Sequence, residues 1–331
     1  MTSTDVANLA GVSQSVVSRV FTPGAAVSAK NTEKVREAAR ELGYQPNRLA
    51  SAMITGKSRV IGVVVTYLEN QFYPDALQRL STEFQLRGYH ILMFSAAPTQ
   101  ANFEQVIEDI LSYQIDGLVL ASVTLASDFA KRCAELDIPV AFFNRTVDVE
   151  GVTSVTSNNY KGGLAVADHL AGLGHTRIGY ISGLESASTQ VDRERGFRDG
   201  LRAHGLSLAS RKNGNFTYSD AQAAALEMFA GGDGPEAVFV CNDHMAFAVI
   251  DALRHTLKLE VPGGVSVVGF DDVPAAMWPA YDLTTFRQPL NEMVSATVTS
   301  LVKQIENSDA GPQGIVLDGK LVVRSTTRPK A

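Results

Sequence analysis

Apolar, β-prone runs alternate with helical patterns in two series from Val60 onward. The first series predicts strands near 60–65, 90–94, 117–121 and 139–143, with helices near 73–87, 101–113 and 126–135. The second predicts strands near 177–182, 236–240 and 265–269, with helices near 161–173, 192–204, 219–230 and 243–254. Strands that are apolar throughout and joined by helical crossovers indicate parallel sheets covered on both faces. We therefore predict an α/β fold whose core has two parallel-sheet lobes.

The N-terminal segment has a different pattern, that of three short helices. Thr2 and Asp5 have the capping-box spacing that begins a helix, and Gly11 allows the left-handed turn after it. Ser13 is expected to cap a second helix, and Ser28 a third. Two short helices joined by a tight turn are typical of a helix-turn-helix, which predicts DNA as the partner. The alternative is a helical hairpin with a solvated polar face.

The second of these helices would have an apolar side, which includes Val17, and a polar side. The polar side carries Gln14, Ser15, Ser18 and Arg19. An α-helix fits the major groove, where Gln can read adenine, Arg can read guanine, and Ser hydroxyls can bind base edges or phosphates. We therefore predict that Gln14, Ser15 and Arg19 read bases and that Ser18 contacts a phosphate.

The charge distribution supports a nucleic-acid partner. Residues 1–60 carry eight basic and four acidic side chains, a net charge of +4, whereas the whole chain carries −6, which leaves −10 for the rest. A basic head on an acidic body suits a module that binds phosphates, and Lys30 is one expected phosphate contact. A charge run can also be no more than a solvated face.

The segment 46–56 begins with a proline, ends with a glycine and lies between the three helices and the first strand. A helix of this length is marginal alone, so we expect it to fold when two copies pack on DNA. Met53 or Ile54 would then supply an apolar wedge for a minor-groove base step. A plain linker is the alternative interpretation.

Composition and motifs argue against export and catalysis. The 331 residues are 45% hydrophobic, with no long apolar run and no signal peptide, so a soluble cytoplasmic protein is expected. Cys133 and Cys241 lie in apolar contexts and are expected to be free core residues. The six histidines lack metal-ligand spacing, and no nucleophile or Walker motif is present. We therefore expect no enzyme, no metal and no cofactor.

Two other classes of protein are alternatives to a DNA-binding receptor. A periplasmic sugar receptor would share a two-lobed core, but it needs an export signal and has no use for residues 1–56. A sugar hydrolase or kinase would need a paired-carboxylate or phosphate-loop motif. Neither class fits the sequence as well as a DNA-binding receptor.

Ligands of open parallel sheets bind beyond the carboxyl ends of the strands, and in a two-lobed protein this crevice lies between the lobes. Arg193 and Asp271 follow predicted strands and should have partners there, either a bound ligand or an internal salt bridge. Asp243 is better interpreted as a helix cap and Asp272 as a structural acceptor, whereas Tyr73 belongs either to the core or to the site.

Many motifs along the chain match one family in the right order. They include Asp-Val-Ala-Asn-Leu-Ala-Gly-Val-Ser (5–13), Val-Ser-Arg-Val (17–20), Val-Ser-Ala-Lys (27–30), Glu-Leu-Gly-Tyr-Gln-Pro-Asn (41–47), Asp-Gly-Leu-Val-Leu (116–120), Gly-His-Thr-Arg-Ile (174–178), Arg-Glu-Arg-Gly-Phe (193–197), Cys-Asn-Asp (241–243), Gly-Phe-Asp-Asp (269–272) and Leu-Thr-Thr (283–285). On these motifs the chain resembles transcriptional regulators of the LacI/GalR family over nearly its whole length.

The resemblance implies a homodimer that binds a pseudo-palindromic operator, usually as a repressor. It implies a DNA-binding domain (1–45), a hinge helix (46–57) and a periplasmic-binding-protein-like core with subdomains 58–158 plus 287–317 and 159–286 plus 318–331.

The resemblance also implies DNA contacts in the hinge, from Asn47, Arg48, Ala50 and Met53. Met53 stands where the family usually has Leu. Ser3 replaces a usual apolar residue and Val16 a usual phosphate-binding Thr. The last strand, at 321–324, precedes no leucine heptad, which favours a dimer over a tetramer.

The resemblance also implies a small-molecule effector, a sugar or sugar derivative, bound between the core lobes. The matching positions are Tyr73, Asn158, Thr189, Arg193, Phe216, Asn242, Asp271 and Trp278. Asn158 stands where the family usually has Asp, an exchange that suits an effector carrying negative charge. Whether the effector releases DNA or promotes binding is left open by the sequence.

Overall fold

The computed structural model describes residues 1–21, 25–45, 57–95, 108–110, 112–121, 133, 135–147, 151–307 and 310–329. The chain divides into two compact units, Met1–Arg59 and Val60–Ala331. The predicted hinge segment 46–56 lies outside the described residues, as does most of the predicted helices near 101–113 and 126–135. Within the described ranges, no helix has the length and apolar character needed to cross a membrane.

Three helices form the N-terminal unit: α1 (Ser3–Ala10), α2 (Gln14–Val20) and α3 (Ala29–Glu41). The predicted capping box is present, since the Asp5 amide donates to Thr2 Oγ1 and the Thr2 amide donates to Asp5 Oδ2. Gly11 ends α1 with a φ of 64°, a conformation that a side chain resists. The helix-turn-helix expected from the sequence is therefore confirmed.

The buried stripe of α1 runs through Val6, Ala7 and Ala10, whereas Leu9 is 47% exposed. The cap of α2 differs from expectation. Ser13 stands at the N-cap of α2, but its hydroxyl pairs with that of Ser15 at 2.8 Å and caps no amide. The core is small, and Val17 is its buried residue on α2.

The second unit contains two sheets. The strands of the first are β1 (Val60–Val65), β2 (His90–Ser95), β3 (Gly117–Ala121), β4 (Val140–Phe143), β5 (Thr153–Ser157) and β11 (Gly314–Leu317). Their order is β11-β5-β4-β3-β1-β2, and all neighbours are parallel. This arrangement confirms the parallel sheet predicted from the first apolar series.

The second sheet is parallel except at one edge. Its strands are β6 (Ile178–Ser182), β7 (Leu208–Asn213), β8 (Ala237–Val240), β9 (Ser266–Asp271), β10 (Thr284–Arg287) and β12 (Lys320–Val322). The order is β12-β10-β9-β8-β6-β7, with β12 antiparallel to β10. The sequence predicted β6, β8, β9 and the last strand, whereas it missed β5, β7 and β10, whose Ser, Thr, Arg and Lys residues lack an apolar signature. It also missed β11, which is apolar but only four residues long.

Helices cover the sheets. They are α4 (Phe72–Leu86), α5 (Asn159–Gly172), α6 (Ser188–Ala203), α7 (Tyr218–Phe229), α8 (Asp243–Asp251) and α9 (Leu290–Glu306). The helix predicted to end near 254 instead passes into a π-helical turn at Ala252–Thr256, and a 3-10 turn spans Pro274–Met277. Both cysteines are buried and free, as expected.

The chain crosses between the two sheets three times, after β5, after β10 and between β11 and β12. The last crossing is the short turn through Asp318 and Gly319. A Cβ added at Gly319 would overlap the carbonyl oxygen of Arg287, so this crossing approaches the end of β10 very closely. Each lobe is therefore built from parts of the sequence that lie far apart.

Candidate functional site

A cavity of about 270 Å³ lies at the carboxyl ends of strands from both sheets. Its lining residues are Thr66, Tyr67, Leu68, Glu69, Asn70, Tyr73, Asn144, Arg145, Thr189, Arg193, Phe216, Thr217, Asn242 and Asp271. This is the location that the parallel-sheet argument predicts for a ligand. Six of the eight positions expected at the effector site line this one cavity: Tyr73, Thr189, Arg193, Phe216, Asn242 and Asp271.

Arg193 and Asp271 face each other at the base of the cavity. Arg193, on α6, donates from Nε to Asn159 Oδ1 at 2.8 Å and from Nη1 to the Cys241 carbonyl at 2.6 Å. Its Nη2 lies 3.6 Å from Asp271 Oδ1, and both side chains are buried. The guanidinium also stacks on the Phe270 ring, 3.6 Å from its centroid. Arg193 is thus held rigidly by both sheet and helix.

Asp271 ends β9 with a φ of 127°, an uncommon backbone conformation for a residue with a side chain. Its carboxylate accepts from Gln288 Nε2 at 2.7 Å and from Asn70 Nδ2 at 3.4 Å. Burial raises the pKa of this carboxyl, although the charge of Arg193 opposes the shift. Since Asn70 belongs to the first lobe, Asp271 also links the two lobes.

Asp243 lies behind the cavity and is fully buried. It is not the helix cap, because Asn242 takes that place and accepts from the Met245 amide. Asp243 accepts from the Thr285 hydroxyl at 2.6 Å and from the Val273 amide at 3.0 Å. Burial, with the nearby charge of Asp271, raises the pKa of Asp243 to about 7. Asp272 forms ion pairs with Arg287 and Arg324, so it is a structural acceptor as expected.

Phe216 forms an aromatic wall of the cavity. It adopts a positive φ of 63° in the turn before α7. A Cβ added at Gly183, directly after β6, would overlap the Phe216 ring, so the ring is seated against bare backbone. Such a flat apolar face can stack on a ring or on the apolar face of a sugar.

Sequence reasoning missed Asn144 and Arg145, which line the cavity just after β4. Arg145 donates from Nη1 to the Asn144 carbonyl at 2.8 Å and to Thr189 Oγ1 at 2.9 Å. The side-chain Nδ2 of Asn144 donates to the Tyr73 hydroxyl at 3.4 Å. The signal was available, since a strand near 139–143 was predicted and these residues follow it directly.

Asn158 and Trp278, two of the expected effector positions, do not line this cavity. Asn158 is the N-cap of α5, where its Oδ1 accepts from the Lys161 amide and its Nδ2 donates to Asp318. The capping geometry turns its side chain toward the start of the helix, and its neighbour Asn159 holds Arg193 instead. Trp278 is 53% exposed, because it follows the 3-10 turn on the surface.

The predicted DNA-reading side chains lie on the open side of α2. Gln14, Ser15, Ser18 and Arg19 are all exposed, opposite the buried Val17. Gln14 Nε2 donates to Ser3 Oγ at 2.8 Å, and Arg19 Nε donates to the Ser15 carbonyl at 3.3 Å. Lys30 is exposed on α3. The remaining predicted contacts, Asn47, Arg48, Ala50 and Met53, lie outside the described residues.

The parts of the chain described here contain no group of three His, Cys, Asp or Glu residues that could hold a metal ion. The buried charged side chains Arg145, Arg193 and Asp271 form hydrogen bonds with neutral partners, and Arg193 and Asp271 also pair with each other. Their arrangement suits binding through hydrogen bonds and stacking.

Comparisons with known proteins agree with this architecture. A model of bacterial regulatory proteins of the lacI family matches residues 2–47, and a model of the periplasmic binding protein-like domain matches residues 167–327. The HTH-type transcriptional repressor PurR of Vibrio vulnificus (strain CMCP6) is 28% identical, over 98% of each chain.

Two solved structures extend the similarity to the whole fold. A Lac repressor dimer, described as bound to operator and the anti-inducer ONPF, superposes with a TM-score of 0.89 at 26% identity over 99% of each chain. A complex of the transcriptional regulator CelR with cellobiose has a TM-score of 0.76 at 28% identity, over 98% of this chain and 99% of that one. Both likenesses cover the helix-turn-helix and the two-lobed core.

Proposed function

The chain belongs to the lacI family of bacterial regulatory proteins, and on this premise we propose that it is a repressor controlled by a small effector. It is a DNA-binding transcriptional regulator and not an enzyme. In our proposal, a sugar or sugar derivative binds between the lobes and changes the affinity for an operator. The observation that carries this proposal is the buried Arg193–Asp271 pair at the strand ends, in a chain that also presents an exposed polar recognition helix.

On the DNA side, we assign base reading to Gln14, Ser15 and Arg19, and phosphate contacts to Ser18 and Lys30. The exposure of these side chains supports the assignment. The segment 46–57 would supply minor-groove contacts through Asn47, Arg48, Ala50 and Met53. A homodimer would place two such heads on a pseudo-palindrome, and the similar Lac repressor is described as a dimer on its operator.

On the effector side, the buried polar groups and the aromatic wall have complementary tasks. Arg193, Asp271 and Asn242 would bind hydroxyl or ring-oxygen atoms, and Thr189 would add a further hydroxyl contact. Phe216 and Tyr73 would pack on the apolar face of the ring. The similar CelR is described in complex with cellobiose, which supports a carbohydrate class of effector.

Signal transfer would proceed through the relative position of the lobes. Hydrogen bonds already join them at the mouth of the cavity: Arg145 to Thr189, the Thr146 amide to Ser188 Oγ, and the Ala275 amide to Gln71 Oε1. An effector shifts this equilibrium only by its differential affinity for two lobe arrangements. We propose that the lobes comprise residues 58–158 plus 287–317 and 159–286 plus 318–331. The three chain crossings lie at these boundaries, and the lobes would rotate about them.

The proposal is tested in two steps with the full chain. Selection from a random duplex library should enrich one pseudo-palindromic site, and failure to enrich any sequence would contradict the regulator assignment. A thermal-shift screen against sugars and sugar derivatives should then find ligands, because a ligand of the folded state raises the melting temperature. Each ligand found should change operator affinity in a fluorescence anisotropy titration.

A pair of variants on α6 makes the second step specific. Arg193→Gln should abolish the effect of the ligand while leaving operator binding intact. Arg195→Gln is the matched control, because Arg195 is 59% exposed and pairs with Asp192 on the surface. Equal responses from the two variants would contradict the role assigned to Arg193.

A further inference from the structure

Arg145 is a buried cation that has no ion-pair partner among the residues that the structure describes. Its side chain lines the cavity, and the residue is only 4% exposed. Within the described ranges, no carboxylate oxygen lies within 4.0 Å of its guanidinium, and its acceptors are the neutral Asn144 carbonyl and Thr189 hydroxyl. Burying an unpaired charge is costly, so proteins pair such groups with ions of opposite sign.

One edge of the Arg145 guanidinium has no acceptor. Both hydrogen bonds to Asn144 and Thr189 use Nη1, whereas Nε is buried with no partner among the residues that the structure describes. The Nε–Nη2 edge presents two parallel N–H groups, the fork that matches the two oxygens of a carboxylate or phosphate. The side chain is thus held through Nη1, and the described residues supply no acceptor for Nε.

No described carboxylate of the cavity forms an ion pair with Arg145, although its charge acts on Asp271 at longer range and opposes the rise in the pKa of that carboxyl. Asp271 is engaged by Arg193, Gln288 and Asn70, and Glu69 lies exposed at the rim. The residue directly before Arg145 is an amide, Asn144, whose buried Oδ1 has no hydrogen-bond donor among the described residues. Among the described residues that line it, the cavity therefore holds two buried cations, Arg145 and Arg193, and one buried carboxylate, Asp271.

The position of Arg145 suits a substituent on a ring-shaped ligand. Its guanidinium carbon lies 5.8 Å from the centroid of the Phe216 ring, so a molecule stacked on Phe216 has its edge beside Arg145. The Tyr67 hydroxyl is also nearby: burial raises its pKa and the charge of Arg145 opposes that shift. Because Arg145 also bonds Thr189 of the other lobe, an anion here would lie where the lobes meet.

We propose that the effector is a polyhydroxylated molecule bearing an oxyanion, a carboxylate or a phosphate, and that Arg145 binds this oxyanion. The inference rests on the proposed function only in taking this cavity as the effector site. Arg145 is then the residue that selects an acidic sugar derivative over its neutral parent, and Arg193 with Asp271 binds the hydroxyl end.

The test uses matched ligands on the purified full chain. Each set contains a neutral sugar, its acids and its phosphate: D-glucose with D-gluconate, D-glucuronate and D-glucose 6-phosphate, D-galactose with D-galactonate, D-galacturonate and D-galactose 6-phosphate, and D-ribose with D-ribonate and D-ribose 5-phosphate. Isothermal titration should find an acid or a phosphate that binds at least about 10-fold more tightly than its neutral parent, the size expected for a charge-assisted contact. Whether the acid arm or the phosphate arm responds identifies the source of the oxyanion.

Arg145→Gln should lower the affinity for the anionic ligand by about 10- to 100-fold, the loss expected for one charge-assisted bidentate contact. It should lower the affinity of the neutral parent by much less, so that the preference for the anion disappears. Ser188→Ala is the control for a merely structural role, since it removes a hydrogen bond between the lobes and not the cation. It should affect the acid and its parent equally. Circular dichroism and ligand-free operator binding check that each variant folds.

Three results would overturn the proposal: neutral parents binding as tightly as their acids and phosphates, no acid or phosphate binding at all, or an undiminished preference in Arg145→Gln. Selection from the random duplex library distinguishes failure of the oxyanion proposal from failure of the regulator assignment. Enrichment of one operator together with any of these results overturns the oxyanion proposal alone. Tight anion binding without operator enrichment contradicts the regulator assignment and leaves the ligand chemistry standing.

Discussion

The side-chain amide of Gln14 donates a hydrogen bond of 2.8 Å to the hydroxyl of Ser3. This bond joins the first residue of α1 to the exposed face of α2. Ser3 stands where the resemblance implies an apolar residue. Its hydroxyl instead contacts Gln14, the side chain to which we assign base reading. The bond restricts the Gln14 rotamer before DNA arrives, which lowers the entropy cost of reading a base.

Ser3→Ala should therefore relax discrimination at the base pair that Gln14 reads. A neutral hydrogen bond contributes about 0.5–1.5 kcal/mol, which corresponds to a loss of roughly 2- to 10-fold at that position. Affinity for non-specific DNA should be unchanged, because phosphate contacts supply it. Sequencing of selected sites measures the discrimination, and titration of a random duplex measures the non-specific affinity. An unaltered preference profile would contradict the positioning role.

Arg19→Ala should relax preference at one operator position and cost about 1–3 kcal/mol there, as expected for a bidentate contact to guanine. Lys30→Ala is its counterpart: affinity should fall across all sequences, and the slope of log affinity against log salt should decrease by about 1. Salt titrations on specific and random duplexes distinguish the two. A uniform loss for Arg19→Ala would show a phosphate contact instead.

Gly183→Ala should weaken effector binding by displacing Phe216, because the new Cβ would overlap the aromatic ring. We expect a loss of about 10-fold or more, the value of a misplaced aromatic wall, with operator binding retained. Gly172→Ala at the end of α5 is the matched control, since nothing lies within 4 Å of its added Cβ. Calorimetry with the ligand found in the screen measures the affinity of each variant. Equal affinities would place Phe216 outside the binding surface.

His175 should make the fold sensitive to acid. Burial lowers the pKa of His175 to about 4, and its Nε2 is bonded to Ser266 Oγ at 3.0 Å. An unfolded histidine has a pKa of about 6.5, so the neutral folded form contributes stability above that pH. This contribution is lost as the pH falls from 6.5 toward 4. Urea unfolding of His175→Gln should show a flatter profile in this window, whereas the exposed His255→Gln should keep the parental slope.

Asp243 should have the opposite dependence. Its pKa in the folded protein is raised from 3.8 to about 7, so the folded state holds the proton more tightly than the unfolded state. Stability from this group is greatest below pH 3.8 and is lost as the pH rises to 7. Asp243→Asn stays neutral and can still accept from the Val273 amide, so its stability relative to the parent should increase between pH 3.8 and about 7. Asp233→Asn, on an exposed loop, is the control; a constant difference across this range would contradict the shift.

Local patterns in the sequence were sufficient for much of the fold. Strands such as β1, with its continuous Val and Ile residues, and caps such as Thr2 with Asp5 depend on neighbours in sequence, so they were predicted correctly. Strand β5 was missed because its Ser and Thr residues become buried only when α9 and β11 cover them, and these come more than 130 residues later in the chain. Burial of that kind has no local signature.

The residues of the candidate site were likewise predicted only in part. The rule that ligands bind beyond strand ends brought Tyr73, Arg193, Asn242 and Asp271 to one cavity from the sequence. It could not say that Asn158 would be used as a helix cap, because one torsion turns that side chain away from the cavity. Nor could it show that Arg193 and Asp271 are already paired, since that distance depends on the packing of both sheets.

The sequence by itself determined that this chain has a helix-turn-helix head and two parallel-sheet lobes, because helix periodicity, capping and apolar runs are short-range properties. The tertiary structure decided what each side chain meets: Gln14 contacts Ser3, Phe216 lies against Gly183, and Arg145 has no ion-pair partner among the described residues. The physical reason is that the cost of burying a charge depends on every group around it, and those groups come from β4, α6 and the turn before α7, which only the fold brings together.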